Sequence, residues 1–340
     1  VKATERERYS RQTLFAPIGE AGQERLLASH AAVVGCGALG SFQAAALARA
    51  GVGRLTLVDR DYVEPSNLQR QWLYTEADAE NATPKAVAAR NALACINSGV
   101  RVDACVADLT PDNVEELLGE ADVLLDGSDN FEVRYLLNDF AVREGKPWIY
   151  GGAVASHGVM MPVVPGASAC LACIFEEAPG GAQPTCDTAG VLGSTTAAVA
   201  AFQVAEALKI LSGNQAAVRK QLLTLDVWEG APRVISTAKP NADCRACGRR
   251  EFPHLEPKAR RAAVLCGRDA VQIHDRQGPL DLKQLAATLE PLGEIRANEY
   301  VVRFKAPPYE MTVFEDGRAI IKGATDAGVA RSVYARYVGS

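Results

Sequence analysis

Two sets of residues in this 340-residue chain have the types and spacing to do chemistry. One could hold a nucleotide, and the other, built of cysteines, could hold a metal or handle sulfur. Gly35, Gly37 and Gly40 form a GxGxxG pattern (GCGALG) behind the apolar run 32–34 and ahead of an alanine-rich stretch. Glycine there permits a tight turn and lets a phosphate approach a helix N-terminus, where free N–H groups and the helix dipole favour negative charge. Asp59 closes the next apolar run about 20 residues on, where an acid can accept hydrogen bonds from a ribose diol. Alone, this pattern says nucleotide, and a NAD-dependent dehydrogenase satisfies it.

The residues that follow ask for more. Asn67 and Arg70, in DRDYVEPSNLQRQ, stand three apart and could share a face, and a dehydrogenase gives them no task. Lys85 falls in the first turn of a helix predicted over 84–96, with Thr83 as N-cap and Pro84 at the first helical position. A cation there opposes the helix dipole by about 0.3–1 kcal/mol. A solvated surface lysine is the plain alternative, while a bound polyphosphate would remove the conflict. Asp126 and Asp129, in LLDGSDN, close a further predicted strand at the edge where open α/β sheets bind ligands. An acid there could hold Mg²⁺ together with water and phosphate oxygens; Asp126 could instead cap the following turn.

The chain has nine cysteines. Cys170-x-x-Cys173 and Cys244-x-x-Cys247 supply four thiolates in two close pairs, the set a tetrahedral structural zinc needs. Their long separation makes the metal a staple between distant parts of one fold, with two unrelated redox pairs as the alternative. No open coordination position is implied, so the zinc has no catalytic role. Cys186 lies in the Gly/Pro-rich stretch 176–193, which reads as a long exposed loop. Such a thiol, once ionised, could attack an acyl-adenylate or exchange with a persulfide. Cys36, Cys95 and Cys105 read as small core residues, and Cys266, which opens the C-terminal module, could be either a core residue or a reactive thiol.

Elements that could position these residues follow in order. Strands at 32–34, 54–59, 123–126 and 148–153 alternate with helices at 41–50, 84–96, from about Pro111 behind Thr110, and 131–144. That order predicts a Rossmann-like α/β fold, doubly wound, with a mostly parallel sheet and helices on both faces. A strand at 158–164 could pair back on its predecessor. An apolar helix at 194–211 reads as buried, and strands at 222–228 and 233–237 precede the second CxxC. From Ala262 a small α+β module begins: a strand, a helix at 280–289, three short strands to Ile321 and a last helix at 327–337. The boundaries are therefore 1–250 for the nucleotide and zinc domain, 251–261 for a charged, proline-bearing linker, and 262–340 for an accessory domain. The net charge of −5 argues against a nucleic-acid binder but leaves room for a local basic cleft. No apolar run approaches the roughly 20 residues that span a bilayer, and the charged start VKATERERYSRQ lacks a signal-peptide core. A cytoplasmic location without membrane contact is expected.

RYSRQ at 8–12, GCGALG, VDRD, SNLQRQ, PK, SDN and the two CxxC pairs together resemble the ThiF/MoeB/HesA family, bacterial relatives of ubiquitin-activating enzymes, over residues 5–250. ThiF-type proteins of thiazole biosynthesis are most similar, and their longer forms share a FEDGRAIIKG-like segment. The resemblance implies an adenylyltransferase that uses ATP to activate the C-terminal glycine of a small ubiquitin-like sulfur-carrier protein. By the same resemblance, Arg11, Arg70 and Lys85 hold phosphates, Asn67 assists them, Asp59 binds ribose with Asp61 beside it, and Asp129 binds Mg²⁺. The family arginine matching Arg11 reaches into the neighbouring subunit's site, which implies a homodimer. Cys186 matches the cysteine that joins the carrier in ThiF members, whereas MoeB-type members carry one there without needing it. One departure is ENATPK, which lacks the glycine the family often places before the lysine. No rhodanese-like cysteine loop is visible, so sulfur would come from a separate donor. The alternatives are MoeB-like activation of a molybdopterin-synthase carrier, another ubiquitin-like carrier, a tRNA base or a peptide C-terminus, and, outside the family, a NAD-linked oxidoreductase or a non-catalytic zinc adaptor. The four histidines form no triad and read as structural.

Overall fold

The computed structural model describes residues 3–177, 186–230, 232–256, 263–265, 270–273, 280–324 and 326–339. Cys266, His274 and residues 257–261 of the linker fall outside these. The chain divides into two units, Val1–Pro257 and Lys258–Ser340.

In the larger unit the strands are β1 (His30–Val34), β2 (Arg54–Val58), β3 (Arg101–Cys105), β4 (Val123–Asp126), β5 (Trp148–Val154), β6 (His157–Val163), β7 (Gln221–Asp226) and β8 (Arg233–Ser236). They form one sheet in the order β3-β2-β1-β4-β5-β6-β7-β8. β1 to β5 pair in parallel and β6 to β8 continue antiparallel. The expected doubly wound, mostly parallel α/β sheet is present. β1 shows why its run is continuously apolar: Ala31 and Val33 enter one core, Ala32 and Val34 the other. The first core also takes α3 (Gly40–Ala50), α5 (Lys85–Ile96) and α10 (Gly193–Leu211), through Leu47, Leu93 and Val204. The second takes α6 (Val114–Leu118) and α7 (Phe131–Glu144), through Leu118 and Phe140.

Several local readings need correction. β3 was not read from the sequence, because RVDAC is a half-exposed edge strand whose Asp103 pairs with Arg54 and Arg101. Two helices, α1 (Ala3–Thr13) and α2 (Gly19–Ala28), precede β1 and were also not read. Pro84, not Thr83, holds the N-cap of α5, in an extended conformation, and Lys85 is the first helical residue. The reason is tertiary: Pro84 bridges Tyr62, and the Lys85 N–H donates to the Asp61 carbonyl at 2.8 Å. α6 starts after Pro111, because Asn113 Oδ1 accepts the Thr110 N–H at 2.8 Å and holds a turn there. Within 176–193, residues 178–185 lie outside the described residues. The rest of that stretch is not plain loop: Cys186–Ala189 form a short helix and Val191 bridges Ala155. With α4 (Glu76–Glu80) and α8 (Leu171–Ile174), Cys186–Ala189 becomes α9 in chain order.

The smaller unit is an antiparallel sheet of β9 (Ala263–Leu265), β10 (Ala270–Ile273), β11 (Glu294–Ala297), β12 (Val301–Ala306), β13 (Tyr309–Phe314) and β14 (Ala319–Lys322), in the order β11-β12-β13-β14-β10-β9. Its helices are α11 (Leu282–Leu289) and α12 (Ala327–Tyr337). Four strands, not three, follow α11, because the FEDGR segment is itself the turn between β13 and β14. Its Gly317 takes φ +82°, and the Tyr334 hydroxyl donates to the Gly317 carbonyl. Arg318 is buried with its guanidinium 4.1 Å from the centre of the Phe314 ring.

Candidate active site

The strand order reverses between β1 and β4, which places a crevice beyond their carboxyl ends. The glycine loop leaves β1 there and Gly127–Asn130 leaves β4. Gly35 has φ +87°, and a Cβ on it would lie 2.6 Å from the Gly127 carbonyl oxygen. A Cβ on Gly40 would collide with the Gly35 carbonyl. These two glycines let the loops and α3 close on each other. A Cβ on Gly37 would meet nothing nearer than Gln71 Nε2 at 3.8 Å, so this position faces room that a phosphate can fill.

Asp59 stands under that loop. Its carboxylate accepts the Cys36 N–H at 2.6 Å and the Asp61 N–H at 2.7 Å. Burial pushes its carboxyl up, partly offset by the Lys85 ammonium. Lys85 is only 4% exposed, and its Nζ lies 3.2 Å from Asp61 Oδ2. The solvated-lysine alternative does not describe it. Asn67 is buried, with Oδ1 accepting the Glu64 N–H at 3.0 Å, and closes the turn at Pro65–Asn67. Arg70 donates to the Ser66 carbonyl at 2.7 Å, beside the point where Gly193 of α10 packs against Gln69 and Arg70.

The two acids after β4 separate cleanly. Asp126 is fully buried and accepts from Ser128 Oγ at 2.6 Å, Ser128 N–H at 2.9 Å, Arg134 Nε at 3.2 Å and Gly151 N–H at 3.3 Å. It is a structural cap and brace, with no face turned to solvent. Arg134 also donates to the Ser128 and Gly151 carbonyls and lies over the Phe131 and Tyr150 rings. Asp129, three residues on, is exposed at the crevice, and Asn130 caps α7.

Arg11 is not brought to this loop within the chain. It is exposed in the last turn of α1, whose neighbouring Gln12 donates to the Ala50 carbonyl at the far end of α3. An 11-residue helix spans about 16 Å, which separates the two. Cys186, on α9, is half-buried and its Sγ lies 3.7 Å from the Ala153 carbonyl near the carboxyl end of β5. β5 ends on the same edge of the sheet as β4.

The four paired cysteines converge. Sγ separations are 3.9 Å for Cys170–Cys173, 3.6 Å for Cys170–Cys244 and 3.3 Å for Cys173–Cys247, with all four within 4.8 Å of one another. Zn–S bonds of about 2.3 Å in a tetrahedron set sulfurs about 3.8 Å apart, so the donor set fits that ion. Burial beside three other sulfurs raises the Cys170 thiol, and pushes that of Cys247 up to about 12. An ion that binds thiolates would reverse both shifts.

Residues 9–246 match the ThiF family. This chain is a member of it. Over 337 residues the chain is 45% identical to the sulfur carrier protein ThiS adenylyltransferase of Bacillus subtilis, covering 98% of this chain and 99% of that one. It is 41% identical over 257 residues to a sulfur carrier protein adenylyltransferase of Thermus thermophilus, covering 72% of this chain and 91% of that one. In fold, it is similar to crystal structures of E. coli MccB, at a TM-score of 0.63 and 22% identity over 72% of this chain and 74% of that one.

Within this ThiF-family fold, the sequence reading overlooked residues that hold the site rather than line it. Arg134 fixes the loop before Asp129, and Gln71, only 5% exposed, sits next to Gly37 with Oε1 lacking a hydrogen bond. The signal for Gln71 was its place in SNLQRQ. For Arg134 the only cue was a cation four residues into a helix behind SDN.

Proposed function

We propose that this chain is an ATP-dependent adenylyltransferase acting on the C-terminal glycine of a ThiS-like sulfur-carrier protein. The observation that carries this reading is the 45% identity with the Bacillus subtilis ThiS adenylyltransferase along 98% of the chain, C-terminal module included.

The carrier's glycine carboxylate, already ionised at neutral pH, attacks the α-phosphate, and pyrophosphate leaves with the electron pair of the broken bond. No side-chain base is required, so the protein's work is positioning and charge neutralisation. The α3 N-terminus and Gly37 receive phosphate, Lys85 and Arg70 offset its charge, Asn67 closes the turn before Arg70 and assists there, and Asp59 and Asp61 face the ribose side. Asp129 is the carboxylate that would hold Mg²⁺, which would supply charge neutralisation at the phosphates. Arg11 serves the neighbouring subunit of a homodimer; the exposed Leu14 and Phe15 beside it, 73% and 61% accessible, support a covered face there. The four cysteines hold a structural zinc. Cys186 belongs to the later sulfur step, with sulfur brought by a separate donor.

Carrier-dependent exchange of pyrophosphate into ATP tests the reading. Exchange that needs a ThiS-like carrier ending in glycine supports it. Exchange only with a molybdopterin-synthase carrier favours the MoeB-like alternative, and tight NAD binding without exchange overturns adenylylation altogether.

A further inference from the structure

Two adjacent side chains on α7 each grip one half of the four-cysteine cluster. Asn138 and Asp139 have no solvent exposure. Asn138 Oδ1 accepts the N–H of Leu171, the residue after Cys170, at 2.8 Å. Asp139 accepts both from Nη1 of Arg245, the residue after Cys244, at 3.0–3.1 Å and from His254 Nδ1 at 3.1 Å. One turn earlier, the Tyr135 hydroxyl donates to the Phe175 carbonyl at 2.8 Å, and the Tyr135 ring stacks on His254 at 5.1 Å. The first and third cysteines are 74 residues apart in sequence, yet both knuckles are seated on the same two turns of one helix.

We infer that Asn138 and Asp139 are positioning residues of the metal site, which fix the two Cys-x-x-Cys knuckles at the separation a tetrahedral ion requires. This rests on the zinc reading above. Outer partners of this kind orient ligands before the metal arrives, and their loss typically weakens retention about 10–100-fold. Asp139 does so through the side chain of Arg245: both carboxylate oxygens accept from its Nη1 and so anchor the residue next to Cys244 against α7. Asn138 satisfies the first free N–H of α8, which has no side-chain cap of its own.

The test is release of zinc from purified protein to a chromophoric chelator below the melting temperature. Asp139→Asn and Asn138→Ala are compared with Leu47→Ala, which opens a cavity in the other core and lowers the melting point without touching the cluster. Zinc release at least tenfold faster in the two α7 variants, but not in Leu47→Ala, is expected. Release at the wild-type rate, or accelerated equally in Leu47→Ala, overturns the inference. If Asp139→Asn does not fold, Arg245→Lys removes the same paired contact more gently and reads the same outcome. A wild-type protein isolated without zinc refutes the zinc reading itself, and is distinguished by metal analysis before any variant is made.

Discussion

Lys85 and Asp61 are joined twice, by an ion pair of 3.2 Å between Nζ and Oδ2 and by the Lys85 N–H on the Asp61 carbonyl at 2.8 Å. A cation in the first turn of a helix is ordinarily unfavourable, and here a carboxylate offsets it beside the glycine loop. A polyphosphate would add anions on the ammonium's other side. Lys85→Ala should therefore reduce pyrophosphate exchange at least a hundredfold, in keeping with loss of one charge-stabilising contact in a phosphoryl-type transfer. Stability should fall by about 1–3 kcal/mol from the weakened pairing of Asp61. Exchange kinetics and a thermal melt measure the two effects. Full exchange activity in a destabilised variant would assign Lys85 to structure alone.

Asp126 and Asp129 should respond in opposite ways. Asp126 is buried and accepts four hydrogen bonds, so Asp126→Ala leaves Arg134 as an unpaired buried cation and should cost about 3–5 kcal/mol. Asp129 is exposed and carries none of that burden. Asp129→Ala should melt within a degree or two of wild type and lose exchange at all Mg²⁺ concentrations. Near-normal exchange would remove Asp129 from the metal's ligands.

This pair also shows what the sequence could and could not disclose. The sequence placed both acids at a strand's carboxyl end, because strand, turn and helix signals are local. Which one is exposed depends on Arg134 and Gly151, and on a β5 that pairs with β4. The parallel core was legible for the same local reason: β1, β2 and β4 are short apolar runs between clear helices. β3 was not, since an edge strand with Arg101 and Asp103 exposed or half-exposed carries no apolar run. The spacing of the cysteine pairs pointed to four thiolates meeting at one place, and they do meet, but the Asn138–Asp139 cradle had no signal. A polar pair inside a helix reads as surface until the fold buries it. The distance of Arg11 from its own glycine loop is a property of helix packing that the residues themselves do not carry; only the family resemblance assigned that arginine to a neighbouring subunit.

For the metal, about one zinc per chain is expected, with Cys170→Ser and Cys244→Ser each losing metal and stability together. Binding free energy at such a site is largely folding free energy, so a strong chelator should lower the melting point of the wild type and have little further effect on either variant. Elemental analysis with calorimetry checks this. A metal-free wild type with an unchanged melting point would show that the four thiols pack without an ion.

Cys186 separates the two halves of the chemistry. In the proposed mechanism adenylylation rests on phosphate contacts from Arg70, Lys85 and a neighbour's Arg11 and on Asp129 as the Mg²⁺ carboxylate, and none of these depends on a thiol at α9. Cys186→Ser should accordingly keep carrier-dependent pyrophosphate exchange within a few-fold of wild type. Its Sγ lies 3.7 Å from the Ala153 carbonyl near the carboxyl end of β5, on the same edge of the sheet as the proposed nucleotide crevice. With a sulfur donor present, the wild type should accumulate a carrier adduct that dithiothreitol reduces, seen by mass spectrometry, and the serine variant should not. Loss of exchange in Cys186→Ser would mean that α9 shapes the first step as well. Complete thiocarboxylate formation without the thiol would instead place sulfur delivery directly on the adenylate, as the MoeB-like alternative requires.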